Sequence, residues 1–465
     1  MSLTYAVIAL ARPTFDVEFA EQMKDRAFVA LDSAGIRTVG PRSLAFDAEA
    51  AERALGEIEE AGDFDLLLIM QVTFTDATMT VQLAKRCSAR IVLWGFPEPR
   101  VGGRLRLNAY CGINLGVHAL GKADRPCGWL YAAPDASEIG TQLRALTEVR
   151  PLPDVSAKQV ERVDSADADR VVAALDGARI SVIGKHPEGF DTCEYDEDVL
   201  QKLAGVDVNQ VPLQDLFARA EAADEERVAA HRQSAEKYLE GLAEMDQEQL
   251  DRSFRLLCAL EDVVAQQKAS SIAVRCWPET FTEYGCAACG PMAMMNEAGV
   301  PSACEADVYG SLTTLMLQEL VGEPVWMADL VDVDFNDDTA VLWHCGLAPI
   351  SMCDPEVSAK ATVHTNRKMP LLHQFPLKPG RVTLARISQA GNRPKLMLAG
   401  AEVQRAPMAF TGTSGVIRFD RPAGEVHERI MAGGLEHHFS LAYGEHRPTL
   451  RQVASRLQLP VLELT

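Results

Sequence analysis

The apolar positions in the first 320 residues form short unbroken runs, separated by longer segments with helical periodicity. Five runs have the continuous apolar character of parallel strands that are buried on both faces: YAVIA, FDLLLIM, ARIVLW, RISVIG and SIAV. A stretch of Pro, Ser and charged residues at 150–169 is typical of a linker between the third run and the fourth. The pattern therefore predicts an α/β fold with two open parallel-sheet, Rossmann-like domains.

The pattern changes after residue 346. RVTLARIS, KLMLAGAEV and SGVIRFD are short, alternate polar with apolar residues, and are separated by Gly and Pro turns. They predict a C-terminal, mainly antiparallel β-barrel domain. We therefore expect an N-terminal α/β domain at 1–155, a second α/β domain at 156–320 and a mixed or β-barrel domain at 321–465.

The stretch from 301 to 346 carries the strongest chemical signal. Apolar residues recur at three- and four-residue spacing over 310–320, which predicts a helix, and Gly322 follows as a candidate C-cap. The extended run VWMADLVDVD comes next. Glu305 precedes the helix and Asp329 lies on the strand after it. A crossover of this kind can bring two carboxylates to one rim of a sheet.

Three histidines stand at the edges of nearby elements. His344 ends the β-like run AVLWHCG, and His437 and His438 occur in GGLEHHFSLAYG. Two carboxylates with a neutral imidazole form a hard, oxygen-rich ligand set, which favours Mn²⁺ or Mg²⁺ over a thiolate-type zinc site. The plain alternative is that Glu305 and Asp329 are only caps or solvated acids at the ends of their elements.

Other polar residues follow the predicted strands of the parallel sheets, where ligands gather in folds of this kind. The Gly-containing loop PEPRVGGRLRLNAYCG holds three candidates, Arg104, Arg106 and Asn108. These side chains could bind sugar hydroxyls or an anionic substituent, or they could equally form a solvated surface turn. Four more candidates for substrate binding lie past strand ends: Arg12, Lys185, Trp277 and Glu279. Each has an ordinary structural alternative as a loop or core residue.

Composition narrows the class of protein. The chain has 465 residues and a formal net charge of −21, which argues against nucleic acid or an anionic membrane surface as a partner. It has no apolar run of about 18 residues, and its N-terminus lacks a basic segment before VIAL. The eleven cysteines have no disulfide-scaffold spacing, so we expect a reducing, cytoplasmic setting. The lone C-x-x-C at Cys286 and Cys289 is better explained by close packing than by zinc.

The motifs ACEADVYGSLT, VWMADL, LWHCG and GGLEHH…AYG, in this order, resemble the L-fucose/L-arabinose isomerase superfamily, and most of all its fucose isomerase-like proteins. The resemblance implies that Glu305, Asp329 and His438 hold a divalent metal ion, Mn²⁺ or another cation such as Mg²⁺ or Co²⁺. It leaves His344 and His437 as substrate-binding candidates. It also implies a homo-oligomer, trimer or hexamer, in which the loop at 98–111 reaches the active site, often that of a neighbouring subunit.

This resemblance predicts a metal-dependent aldose–ketose isomerase that acts on an open-chain sugar through an enediolate, with Glu305 and Asp329 as acid–base groups. A hydride shift would use the same residues. Pentoses, 6-deoxyhexoses and C6-anionic sugars such as sulfoquinovose all stay open as substrates. The alternatives are a non-catalytic sugar-binding or regulatory protein on a degenerate isomerase scaffold, and a metal-dependent epimerase or lyase.

Overall fold

The computed structural model describes residues 3–465, and its first sheet contains six strands in parallel pairing. The strand order is β2-β1-β4-β5-β6, with β3 beside β1. The strands are β1 (Thr4–Leu10), β2 (Arg37–Val39), β3 (Leu44–Ala45), β4 (Leu66–Gln71), β5 (Arg90–Gly95) and β6 (Cys127–Tyr131). The helices of this part are α1 (Val17–Ser33), α2 (Ala48–Ala61), α3 (Thr78–Arg86), α4 (Ala109–Lys122) and α5 (Ile139–Arg144).

The second sheet is also parallel and has the order β10-β9-β7-β8. Its strands are β7 (Arg179–Ile183), β8 (Asp207–Val211), β9 (Ser271–Val274) and β10 (Ser302–Ala303). Its helices are α6 (Ala166–Leu175), α7 (Glu197–Ala204), α8 (Leu213–Glu221), α9 (Glu225–Ala235), α10 (Gln247–Gln267), α11 (Cys289–Glu297) and α12 (Val308–Val321). The two predicted parallel sheets are therefore confirmed.

The third sheet is mixed and contains nine strands in the order β13-β14-β17-β12-β11-β18-β15-β16-β19, with a further pairing of β16 and β17. The strands are β11 (Trp326–Asp334), β12 (Thr339–His344), β13 (Lys360–Thr362), β14 (Leu372–Pro376), β15 (Gly380–Ser388), β16 (Lys395–Gln404), β17 (Thr413–Phe419), β18 (His438–Tyr443) and β19 (Val461–Glu463). Helices α13 (Ala423–Ala432) and α14 (Arg447–Arg456) accompany it.

The expectation of a mainly antiparallel C-terminal sheet is wrong in this respect: β14 pairs with β17, and β19 with β16, in parallel. A parallel neighbour needs a crossover connection, and α14 supplies one between β18 and β19. The predicted barrel and the three domain boundaries stay predictions. The segment expected to be a linker is tied down at one point, because Lys158 and Val461 exchange backbone hydrogen bonds of 2.8 Å each.

Helix α12 is the element that positions the candidate site, and its prediction from periodicity is confirmed. It begins at a cap in which Asp307 accepts a hydrogen bond of 2.8 Å from the backbone N–H of Gly310. It ends at Gly322, whose φ of 69° is the left-handed conformation that closes helices. Its first ten residues are buried, so the turn before it is held against the core. Among the described helices, none is both long and apolar enough to cross a bilayer.

Candidate active site

One cleft is bordered by elements of all three sheets. These elements are the carboxyl ends of β1 and β9, the turn after β10, and strands β11 and β12. The cleft has about 860 Å³ of space including its open mouth. Seven of the twelve residues predicted to form the site line it: Arg12, Asn108, Trp277, Glu305, Asp329, His344 and His437. His438 lies directly behind this wall and is buried.

Glu305 occupies a tight turn between β10 and α12. Its φ of 59° and the φ of 53° at Ala306 are left-handed, which costs a residue with a side chain about 1–2 kcal/mol. Its Oε1 accepts a hydrogen bond of 3.2 Å from Nε1 of Trp277, and its Oε2 lies 3.1 Å from Nε2 of His437. The strained turn therefore directs the carboxylate into the cleft between an indole and an imidazole.

Strand pairing brings Asp329 and His438 together. The two residues face each other in the antiparallel register of β11 and β18, although 109 positions of sequence separate them. His438 Nε2 lies 3.2 Å from Asp329 Oδ1 and 3.7 Å from Glu305 Oε2. Both carboxylates predicted from the sequence thus converge on one imidazole nitrogen.

A third carboxylate, Asp307, supports His438 from the other side. Its Oδ2 lies 2.8 Å from His438 Nδ1, and the fully buried Arg386 pairs with the same carboxylate. Burial disfavours the carboxylate, but Arg386 and His438 outweigh that effect and lower the pKa of Asp307 well below its usual value. Burial likewise disfavours the imidazolium, yet the hydrogen bond with Asp307 and the charge of Asp329 raise the pKa of His438 well above the ordinary value. The sequence analysis did not single out Asp307, although its place before a helix is a capping signal.

The donor set fits a divalent cation. Asp329 Oδ1 and His438 Nε2 are buried, and neither makes a hydrogen bond within the part of the chain that the structure describes. Buried polar atoms without partners are expensive, and a cation between them would satisfy both. The nearest thiol, that of Cys193, has a pKa raised by burial to about 12, so it is protonated and a poor ligand. Carboxylate oxygen and imidazole nitrogen are left as donors, which suits Mn²⁺ or Mg²⁺.

His344, at the end of β12, is a different kind of group. Its Nδ1 accepts a hydrogen bond of 2.9 Å from the backbone N–H of Cys345. Burial lowers its pKa to about 4, so the ring is neutral near pH 7. A neutral ring that accepts at Nδ1 carries its proton at Nε2. His344 is therefore arranged as a hydrogen-bond donor at Nε2, and it also lies close enough to Asp329 and His438 to share a metal site with them.

The Gly-containing loop reaches the cleft of its own chain. Glu98 accepts backbone hydrogen bonds from Arg106, Leu107 and Asn108, of 3.1, 2.5 and 2.5 Å, and so shapes the turn before α4. Asn108 lines the cleft, and its Oδ1 is buried without a hydrogen-bond partner in the described chain. The side chain therefore has an unused acceptor beside the cleft.

Four arginine, lysine and glutamate candidates lie elsewhere. Arg104 donates to Asn366 Oδ1 at 2.7 Å and supports the cleft wall from behind. Arg106 pairs with Asp16 at 2.8 Å, with its guanidinium 3.7 Å from the ring of Phe19, so the solvated-turn alternative holds for it.

Lys185 and Glu279 were expected to bind substrate, but they do not line the cleft. Lys185 follows β7 and faces a separate groove beside the outer strand β8. Glu279 forms an ion pair of 2.6 Å with Arg275, whose other nitrogen donates to the carbonyl of Lys185. Both residues do follow strand ends, but the ion pair with Arg275 engages the Glu279 side chain, and the loop after β7 places Lys185 at the separate groove.

The loop between β13 and β14 supplies residues that the sequence analysis missed. His364, Thr365, Asn366 and Arg367 line the cleft opposite α12. The only signal in the sequence is a cationic tract, HTNRK, in a strongly acidic chain. All eleven cysteines are free, and Cys289 lies at the start of α11 beside the cleft, in agreement with the packing role expected for it.

The fold and this cleft define an α/β protein in which two carboxylates and three imidazoles line one cleft. A profile of the family described as fucose/sulfoquinovose isomerase, N-terminal domain, matches residues 6–150. The sulfoquinovose isomerase of Alkalicoccus urumqiensis is 29% identical over 463 residues, 99% of each chain. Those of Priestia aryabhattai and Clostridium sp. (strain MSTE9) are each 28% identical, over 98% of this chain and 98% and 97% of their own.

The N-terminal part of the chain matches the fucose/sulfoquinovose isomerase family and the full chain is similar to sulfoquinovose isomerases, so its activity is that of an intramolecular oxidoreductase, a sugar isomerase. The resemblance seen in the sequence is thereby confirmed. The alternative of a non-catalytic binding protein is set aside, because the relatives carry the same enzymatic name over the full length of the chain.

Proposed function

We propose that the protein is a metal-dependent aldose–ketose isomerase whose substrate is a C6-sulfonated hexose, sulfoquinovose. The observation that carries the proposal is the convergence of Glu305, Asp329 and the unpartnered Nε2 of His438 at one cleft. The names of the relatives support the sugar, and the arginines on the opposite wall of the cleft fit its negative charge.

Glu305, Asp329 and His438 would hold the metal ion. When bound, a divalent cation supplies Lewis-acid stabilisation for the negative charge that develops on the sugar oxygens. Asp307 holds one proton of His438 at Nδ1, so that a metal ion would take the place of the proton at Nε2. Neither carboxylate forms a salt bridge with Arg or Lys in the described chain, so the oxygens of both are available to a metal ion.

The reaction moves one proton between two carbons of the open-chain sugar. A base takes the proton from C2 and returns it to C1, while the proton of the C2 hydroxyl passes to the C1 oxygen, so an aldose becomes a ketose. Glu305 is the group we assign to the carbon-bound proton, because its carboxylate enters the cleft from a strained turn. His344 would donate its Nε2–H to the sugar oxygen that becomes negative.

The oligomer is a second part of the proposal. The resemblance implies a trimer or hexamer, whereas Asn108 lines the cleft of its own chain. We therefore propose an oligomer in which each protomer holds its own copy of the residues from this loop. Sedimentation of the active enzyme measures the oligomeric state, and a fully active monomer would contradict this part.

The test is to incubate the purified protein with sulfoquinovose and follow the product by NMR, with metal removed by a chelator and then restored as Mn²⁺. We expect the corresponding ketose, no turnover without metal, and deuterium at C1 when the solvent is D₂O. A C2-epimeric aldose as the product would favour the epimerase alternative. Product without solvent deuterium would favour a hydride shift. Full activity after verified metal removal would refute the metal dependence.

A further inference from the structure

Arg367 is a cation without a counterion. It lies in the loop between β13 and β14, half-buried in the wall of the cleft. Within residues 3–465 its guanidinium has no acidic partner within ion-pair distance and donates no hydrogen bond. Its contacts are aromatic: the guanidinium carbon lies 5.7 Å from the ring centroid of Trp277 and 5.4 Å from that of Phe281.

The other arginines around the cleft are neutralised or engaged. Arg12 pairs with Asp76, Arg275 with Glu279, and Arg104 donates to Asn366 and to the carbonyl of Thr14. In a chain with a net charge of −21, acidic partners are abundant. Burial lowers the pKa of Arg367, and the nearby charge of Arg12 adds to this effect. An unpaired, partly desolvated cation beside a second cation is unfavourable in the free protein and becomes favourable when an anion binds.

Trp277 connects this cationic wall to the acidic wall. Arg12 and Arg367 both lie over its ring, at 5.2 and 5.7 Å from the centroid. The Nε1 of the same indole donates to Glu305 Oε1 at 3.2 Å. The same indole therefore contacts both the cationic groups and the acid–base group.

Asn366 adds neutral donors to the same wall. Its Oδ1 accepts from Arg104 at 2.7 Å, which directs the side-chain amide and leaves its N–H groups free of partners in the described chain. A planar guanidinium and an amide can donate to several oxygens of one tetrahedral anion at once. Arg12 contributes charge beside the same indole, although Asp76 offsets part of it.

We propose that Arg367, with Arg12 and the amide of Asn366, forms the subsite that binds the anionic C6 substituent of the sugar, and that Arg367 determines the preference for sulfonated over neutral hexoses. The inference rests on the proposed function, because it assumes that the reacting end of the sugar lies at Glu305. A sulfonate matches the site because it is a weakly hydrated anion with three acceptor oxygens, and guanidinium is the weakly hydrated cation among protein side chains.

The experiment compares Arg367→Met with the matched control Lys368→Met. Lys368 is the next residue of the same loop and is exposed, so its substitution removes the same charge without touching the cleft. Each variant is assayed with sulfoquinovose and with its neutral counterpart, 6-deoxyglucose. We expect Arg367→Met to raise the KM for sulfoquinovose at least tenfold, with little change in kcat and no loss on 6-deoxyglucose. Lys368→Met should change either KM less than twofold, and Arg367→Lys should fall between wild type and Arg367→Met.

Direct binding separates the subsite from catalysis. Titration calorimetry of sulfoquinovose into wild type and Arg367→Met should show the same tenfold loss of affinity, and galacturonate and glucose 6-phosphate reveal whether carboxylate or phosphate is preferred. An equal KM change on both sugars, or none, overturns the subsite. If wild type itself prefers 6-deoxyglucose, the proposed substrate fails instead, so the two failures are distinguishable. A preference for the carboxylate or phosphate sugar keeps the anion subsite and overturns the sulfonate assignment.

Discussion

Asp307→Asn tests how the site is supported. The substitution preserves the shape of the side chain and the helix cap, because Asn caps helices as well as Asp does. It replaces the oxygen that faces His438 Nδ1 at 2.8 Å with an oxygen or an N–H of a neutral amide. An amide N–H at this position would move the ring proton of His438 to Nε2, the nitrogen that faces Glu305 and Asp329. Loss of a supporting carboxylate of this kind typically costs about 10–100-fold in metal affinity.

The same substitution has a second, separable effect. Arg386 is 1% exposed, and its charge is balanced mainly by the carboxylate of Asp307, with a further contribution from the buried Glu436. Removing one partner of a buried ion pair costs about 3–5 kcal/mol, and Glu436 keeps the cost here toward the lower end because it compensates part of the remaining charge. We therefore expect Asp307→Asn to lower the thermal unfolding midpoint as well as the metal affinity.

A double variant divides these effects. Asp307→Asn with Arg386→Met removes the uncompensated cation and should recover most of the stability, while metal affinity stays about 10–100-fold below that of wild type. Metal affinity is measured by competition with a chelator of known affinity, and stability by calorimetry of the metal-free protein. Wild-type metal affinity in Asp307→Asn, or its recovery in the double variant, would refute the argument that Asp307 acts through the tautomer of His438.

Three further predictions concern the cleft and its surroundings. Glu305→Gln and Asp329→Asn should each lose metal and turnover while the far-UV circular dichroism stays native, and near-native turnover of either variant with added Mn²⁺ would contradict the assignment. His344→Phe should lower kcat about 100-fold or more with unchanged metal content, because only a hydrogen-bond donor is lost; loss of the metal would make His344 a ligand instead. Stability should fall as pH falls from about 6.5 to about 4, because burial lowers the folded-state pKa of His373 to about 4 and the unfolded chain binds the proton first. His373→Leu should therefore show a smaller decrease in the unfolding midpoint between pH 7 and pH 5 than wild type does, and an equal decrease would refute this cause.

The parts of the fold that follow from local pattern could be predicted from the sequence. The five continuous apolar runs are strands, and the periodic segment after Glu305 is helix α12. A strand that is buried on both faces has apolar residues at every position, whereas a helix has them at every third or fourth position, so the two can be told apart in the sequence. The direction of a strand relative to its neighbour has no such signal in the sequence. An alternating run looks the same beside a parallel or an antiparallel neighbour, so the parallel partners of β14 and β19 could not be predicted from their residues.

The candidate site could be predicted only where its acidic and imidazole side chains lie in short sequence motifs. Glu305, Asp329 and His438 stood out as acids and an imidazole at element edges, and the structure brings them together. Asp307 could not be recognised, because an Asp that only caps a helix and an Asp that also orients a histidine look the same in a sequence. Lys185 and Glu279 were chosen by position, yet an ion pair and a loop conformation decide where such side chains point.

The missed Arg367 shows why an anion subsite is harder to find from sequence than an acid–base site. An Arg in an acidic chain normally pairs with a carboxylate of the same chain. It can bind an anionic ligand only where that pairing is absent. A sequence does not show which ion pairs form. In the structure the two carboxylates that line the cleft, Glu305 and Asp329, lie close to imidazoles, and neither forms an ion pair with Arg367 in the described chain. Trp277 contacts both sets of groups, because its Nε1 donates to Glu305 and its ring lies beside Arg367. The cleft therefore holds a cation and an acid that do not neutralise each other. That separation is what a substrate with an anionic tail and an acidic carbon requires.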